Sequence, residues 1–175
     1  LPSILQTEAA ECGLACLAMV ASSHGEGFGL AQLRRRYGLS QCGAFLKDMI
    51  AIADHLGMTA RPLRLAPNEL PLLATPCILH WDLNHFVVLK SVSGSHAVIH
   101  DPAVGERRLA LAEVAKHFTG VALELTPTAE FKKVEEKQQF SLLSLMGRVV
   151  GLKRGLLQLL LGLALQVCAL VAPFY

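Results

Sequence analysis

Apolar and polar positions change their spacing part-way along the chain. Leu14 to Ala21 is apolar on every side of a helix, which predicts a central buried helix rather than a surface one. Leu30 to Tyr37 and Ala44 to Leu56 set apolar residues at helical spacing with charges between them, so each predicts an amphipathic helix. Gly38 and Gly57 follow where C-terminal stops are expected. After Pro67 the texture becomes short β-branched or aromatic runs bounded by Gly, Asn, Asp or Pro: Cys77–Trp81, Phe86–Val92, Ala97–His100 and Val121–Leu125. Ser93-Gly94-Ser95 reads as a hairpin connection between two of them. Arg107–Leu109 adds a weaker strand and Leu111–Phe118 a short helix. Helices first and antiparallel strands second predict an α+β domain, with a helical N-terminal lobe, a β-sheet lobe and a cleft where they meet.

Beyond Pro127 the pattern changes again. Thr126 to Gln139 is polar and charged, Phe140 to Val150 is amphipathic, and the 21 residues 155–175 carry no charge. About 20 apolar residues cross a bilayer. Arg148, Lys153 and Arg154 precede that stretch, and the positive-inside rule would keep them, and the domain before them, in the cytoplasm. The expected organisation is a domain at 1–127, a linker and amphipathic segment at 128–154, and a first transmembrane helix at 155–175. Such a chain resembles the front of a longer membrane protein.

Composition refines this picture. Hydrophobic residues make up 53% of the 175, somewhat above the soluble norm, and the tail accounts for the excess. A formal net charge of +2 gives no case for nucleic acid. The tightest basic group, Arg34, Arg35 and Arg36, reads as the solvated face of a helix. Five cysteines, Cys12, Cys16, Cys42, Cys77 and Cys168, form an odd set without a Cys-x-x-Cys pair or a secretory opening. A reducing compartment is expected.

Candidate chemistry begins at Glu11-Cys12-Gly13, directly before the apolar helix. A cysteine at a helix N-terminus meets unpaired N–H groups and the positive end of the dipole, which favour thiolate. Gly13 leaves room for a substrate carbonyl. On position alone Cys12 serves equally as a buried structural thiol or as a nucleophile. His85 opens the strand His-Phe-Val-Val-Leu, and Asp101 follows a second strand. If those strands pair across Ser93–Ser95, their outer ends place Asp101 beside His85, where a carboxylate would fix the imidazole tautomer. Asp82 competes for that role but sits only three residues from His85, in an expected turn. Gln6, six residues before Cys12, lies where papain-like cysteine peptidases keep an oxyanion-stabilising glutamine.

Gln6 with Glu11-Cys12-Gly13-Leu14-Ala15-Cys16-Leu17-Ala18-Met19, then His80-Trp81-Asp82-Leu83-Asn84-His85-Phe86-Val87-Val88-Leu89, then Asp101-Pro102 and Gly105, closely resemble the C39 peptidases. These are the N-terminal domains of ABC exporters for bacteriocins and related peptides. Phe118 to Leu125 is similar to the family's closing strand, so the resemblance runs from about Leu1 to Pro127. It implies a papain-like cysteine endopeptidase that removes a leader after a Gly-Gly or Gly-Ala pair, coupled to export. By that resemblance Cys12 is the nucleophile, His85 the general base, Asp101 the orienting acid and Gln6 the oxyanion donor. The peptidase needs no cofactor or metal, and ATP belongs to a nucleotide-binding domain absent here. The implied partners are a precursor peptide with a double-glycine leader, the membrane and a second exporter subunit. The implied place is the bacterial inner membrane, with the peptidase on the cytoplasmic side. Two departures stand out: Glu11 replaces the usual Asp, and Cys42-Gly43-Ala44-Phe45 lacks a small hydroxyl residue.

Two other function classes fit parts of the pattern. Relatives without the cysteine act as non-hydrolytic modules that dock the export substrate, and an acyl transferase could use the same residues. The intact Cys, His and Asp argue against the first, the apolar tail against the second. Cys12 and Cys16, four apart, could share a metal, yet no second ligand pair has the spacing. Cys16, Cys42, Cys77 and Cys168 read as core, His80, His96 and His100 as structural or exposed, and Trp81 as either cleft wall or core.

Overall fold

The computed structural model describes residues 1–25, 29–37, 43–129, 131 and 152–171, with side chains in the last stretch described over 158–167. It divides into two compact units, Leu1–Glu136 and Lys137–Tyr175.

In the first unit a 3-10 turn, Ala9–Glu11, runs directly into helix α1, Cys12–Ser23. Every residue from Cys12 to Ala21 is buried, as an all-apolar helix requires. Burying each large side chain here, such as Leu14 and Leu17 at 0% exposure, contributes about 1.5–3 kcal/mol. Helix α2, Leu30–Tyr37, buries Leu30 and Leu33, and α3, Leu46–His55, buries Met49, Ile52 and Ala53. Gly57 takes a φ of 77° just past α3, the left-handed stop expected of it. Gly38 and Cys42 lie outside the described residues.

Six strands form one antiparallel sheet: β1 Met58–Arg64, β2 Cys77–Trp81, β3 His85–Ser93, β4 His96–Asp101, β5 Gly105–Ala110 and β6 Phe118–Pro127. Their spatial order is β1-β6-β2-β3-β4-β5. A 3-10 turn at Pro67–Leu72 follows β1, and helix α4, Leu111–His117, follows β5. Side chains alternate across a strand, and both faces of the central strands are apolar. Ile78, Phe86, Val88 and Leu123 join the core of α1–α3, whereas Leu79, Val87, Leu89 and Ala122 join Leu70 and Val114 on the other side. The α+β expectation therefore holds, with helices on both faces rather than in one lobe. Strand β1 was not anticipated. The expected strand at Val121–Leu125 extends to Phe118–Pro127 because it pairs with β1 on one side and β2 on the other.

After β6, Thr128 hydrogen-bonds Gly57 and Phe131 packs against the α1 core. The rest of the expected linker and amphipathic segment, 132–151, lies outside the described residues. In the second unit a helix α5, Leu152–Val171, takes in Lys153 and Arg154, and its described leucines, including Leu159 and Leu161, are exposed. The expected bilayer crossing at 155–175 is not seen: among the described residues no helix is long and apolar enough to cross a membrane. The helix starts earlier than expected, with charge in its first turn, and 172–175 lie outside the described residues.

Candidate active site

Cys12 is the first residue of α1 and only 5% exposed. It stands at the positive end of the helix dipole. Because α1 packs on β3, the start of the helix meets the start of the strand, where His85 stands. His85 Nε2 lies 2.8 Å from Asp101 Oδ1, which leaves Nδ1 as the ring nitrogen for the thiol. The hairpin places Asp101 there: β3 and β4 pair from Ser93↔His96 out to Val88↔His100, bringing their outer ends together. Asp101 is itself held, because its Oδ1 accepts the Ala103 N–H at 2.9 Å.

A hydrogen bond with Cys12 raises the pKa of His85, burial works against it, and the bond to Asp101 raises it again, to about 9. The imidazole is therefore protonated at neutral pH beside the cysteine. One turn further, Cys16 is fully buried. Burial, and then the charges of Cys12 and Asp101, push its thiol well above the ordinary range. It is a core residue.

Gln6 lies in the N-terminal segment beside the loop after Asp101. Its backbone N–H donates to the Pro102 carbonyl at 2.9 Å, tying the N-terminal segment to the loop after Asp101. Its side-chain Oε1 is buried without a hydrogen-bond partner, so that atom is not spent on the protein's own structure.

The profile of the Peptidase C39 family matches residues 1–130. The chain belongs to this family. It is 46% identical over 173 residues to the colicin V secretion/processing ATP-binding protein CvaB of Escherichia coli, covering 98% of this chain and 25% of that protein. To the pediocin PA-1 transport/processing ATP-binding protein PedD of Pediococcus acidilactici it is 28% identical, covering 94% and 23%. The chain thus spans about a quarter of the curated relatives it matches. Among solved structures, the double glycine motif protease from an AMS/PCAT transporter, in complex with the leader peptide, matches with a TM-score of 0.69 at 40% identity. That match covers 73% of this chain and 91% of the other. The peptidase domain of Streptococcus ComA matches at 0.66 and 26% identity, covering 71% and 97%. The papain-like C39 fold expected for the first unit is thereby established.

Other candidates in this C39 domain sit away from the thiol. Asp82 turns to His117, whose Nδ1 lies 2.8 Å from its Oδ1. Trp81 is 4% exposed and stacks on the same His117 ring at 5.1 Å, which makes it core rather than cleft wall. His80 pairs with Thr119, exposed His96 with Ser95, and buried His100 with Glu106. Cys77 is buried, and burial, then Glu124, pushes its thiol up to about 12. Cys42 lies outside the described residues, as does the side chain of Cys168. Gly13 needs a correction. It is buried, and a Cβ there would meet Ala44 Cβ and Met49 Sδ at 3.1 Å each, so its smallness serves the packing of α1 on α3, not substrate access.

Sequence reasoning missed one feature beside the thiol. Arg34, expected on a solvated face, pairs with the buried carboxylate of Glu11. Only an acid directly before the cysteine hinted at it.

Proposed function

We propose that the first unit is a cysteine endopeptidase that removes the leader of a precursor peptide after a Gly-Gly or Gly-Ala pair, in service of export. The observation that carries this reading is the contact of His85 with both Cys12 and Asp101 at the start of the buried helix. Cys12 Sγ attacks the carbonyl carbon of the second leader residue. The oxyanion is received by the Cys12 backbone N–H and the Gln6 side-chain amide. His85, already protonated, gives its Nδ1 proton to the departing amine as the C–N bond breaks. Water, losing a proton to the now neutral His85, then hydrolyses the thioester and frees the thiol. Asp101 holds the ring and supports its positive charge throughout.

In this reading the chain's own groups and a water supply every step, and none of them calls on the ATP named for the relatives. The exposed leucines of α5 support its role as the approach to a membrane domain; the same proposal puts the peptidase on the cytoplasmic side, beside a second exporter subunit. The test uses the full chain and a synthetic amphipathic leader ending in Gly-Gly-aminomethylcoumarin. Release of fluorophore after the glycine pair by wild type, and its loss in Cys12→Ala, is the expected result. Binding of the peptide without any cleavage would replace this reading with the docking module.

A further inference from the structure

We propose that Glu11 is a positioning residue for the oxyanion site: its carboxylate, gripped by Arg34, fixes the turn that carries Gln6 relative to Cys12. The inference rests on the roles proposed above for Cys12 and Gln6. Glu11 is 4% exposed, and a buried carboxylate persists only with its oxygens satisfied. Its Oε2 accepts the backbone N–H groups of Thr7 and Glu8 at 3.1 Å each and Arg34 Nη2 at 2.9 Å. Its Oε1 takes Arg34 Nε. Arg34 Nη2 also reaches Thr7 Oγ1 at 3.2 Å. Burial raises the carboxyl's pKa, but the Arg34 hydrogen bond and the two backbone N–H bonds outweigh it and hold the group below the ordinary value. The group is charged at neutral pH and its oxygens are occupied, so it is no proton carrier.

What these bonds hold is informative. The two backbone N–H groups belong to the residues immediately after Gln6, and Glu11 itself immediately precedes Cys12. The Gln6 N–H is already taken by the Pro102 carbonyl. Gln6 is therefore bracketed, by the loop of Asp101 on one side and by the Glu11 carboxylate on the other. One side chain sets the separation of nucleophile and oxyanion donor, and Arg34 anchors that side chain to α2. Arg34 is 44% exposed and the Glu11 side chain 5%, so the pair keeps a buried carboxylate satisfied and, through it, fixes the geometry of the turn.

An oxyanion donor displaced by about 1 Å costs on the order of 10²-fold in rate. The experiment uses the full chain with Glu11→Gln, Arg34→Gln and Glu11→Asp, the Gly-Gly-aminomethylcoumarin leader, and iodoacetamide. Alkylation needs the thiol but forms no oxyanion, so it separates the two effects. Glu11→Gln and Arg34→Gln should lower kcat about 10- to 100-fold with KM within about twofold. Alkylation of Cys12 should stay within about threefold, and Glu11→Asp, which keeps the charge, should recover part of the loss. Adding Gln6→Ala to Glu11→Gln should cost much less than it does alone, because both act through one donor. Unchanged kcat in both glutamine variants, or alkylation falling in step with kcat, would overturn the proposal. Gln6→Ala and Cys12→Ala run beside them: normal cleavage by either means that the underlying reading has failed, not this inference alone.

Discussion

Among the described residues, two histidine–carboxylate contacts share the same nitrogen–oxygen distance of 2.8 Å: His85 with Asp101, and His117 with Asp82. Their surroundings differ. Asp101 is 8% exposed and Asp82 52%. His85 spends Nε2 on its acid and keeps Nδ1 for Cys12, whereas His117 spends Nδ1 and turns Nε2 toward Glu113 at 3.5 Å. Water screens the second pair, which then does little beyond fixing the β2–β3 turn. In the first, low exposure and a thiol make the same contact a device for keeping a proton in place. Hydrogen-bond length does not separate them; burial and the third partner do.

The largest way to break the contrast is to remove the histidines themselves. His85→Ala should lower kcat/KM by about 10³-fold or more, as loss of a base usually does, and His117→Ala by less than about twofold. Steady-state cleavage of the Gly-Gly-aminomethylcoumarin leader by the full chain reads both. Next come the acids. Asp101→Ala should cost about 10²-fold and Asp101→Asn about tenfold, since an amide oxygen still accepts from the ring. Asp82→Ala should leave cleavage intact and change unfolding by less than about 1 kcal/mol in a urea titration. A crippling Asp82→Ala would reverse the assignment.

The pH profile sharpens the same comparison. His85 has its pKa raised to about 9, so the imidazolium is present below that value and is lost as pH rises through it. The rate should therefore decline on the alkaline side near pH 9. In Asp101→Asn, which lacks one of the raising influences, the decline should begin at lower pH. An alkaline limb that does not move would show that Asp101 does not support the ring's charge. The smallest expected effect on cleavage is at Gly13. Gly13→Ala should destabilise the fold by about 1–3 kcal/mol through overpacking while leaving kcat within about twofold. A large fall in kcat with unchanged thermal stability would restore the role in substrate access.

How much of this was readable in the residues depended on whether one segment sufficed. Helix α1 was legible because its run is apolar on every side, and the His85–Asp101 contact because a single turn, Ser93-Gly94-Ser95, fixes both strands. Asp82, closer to His85 in sequence, faces His117 instead; its positive φ of 47°, with 65° at Leu83, accompanies a turn whose Asp82 N–H is held by the His117 carbonyl. Strand β1 was invisible because Met58–Arg64 is an edge strand with mixed exposure and a proline, Pro62, and only its partner β6 explains it. The Glu11–Arg34 pair joins residues 23 apart, and the tight side of Gly13 depends on where α3 lies. No local pattern encodes either one.

The place of β6 also bears on when the sheet can close during synthesis. It is the last strand to be made, yet it lies between β1 and β2. Before it emerges from the ribosome, β1 has no strand partner and β2 to β5 form a separate meander. Synthesis runs from the N-terminus at about 5–20 residues per second, so Cys12 is translated well before the sheet beneath α1 can close. The sheet's middle, between β1 and the β2–β5 meander, is thus filled by the segment made after all of them. A nascent chain lacking Phe118–Pro127 would leave β1 and the outer edge of β2 without a strand partner.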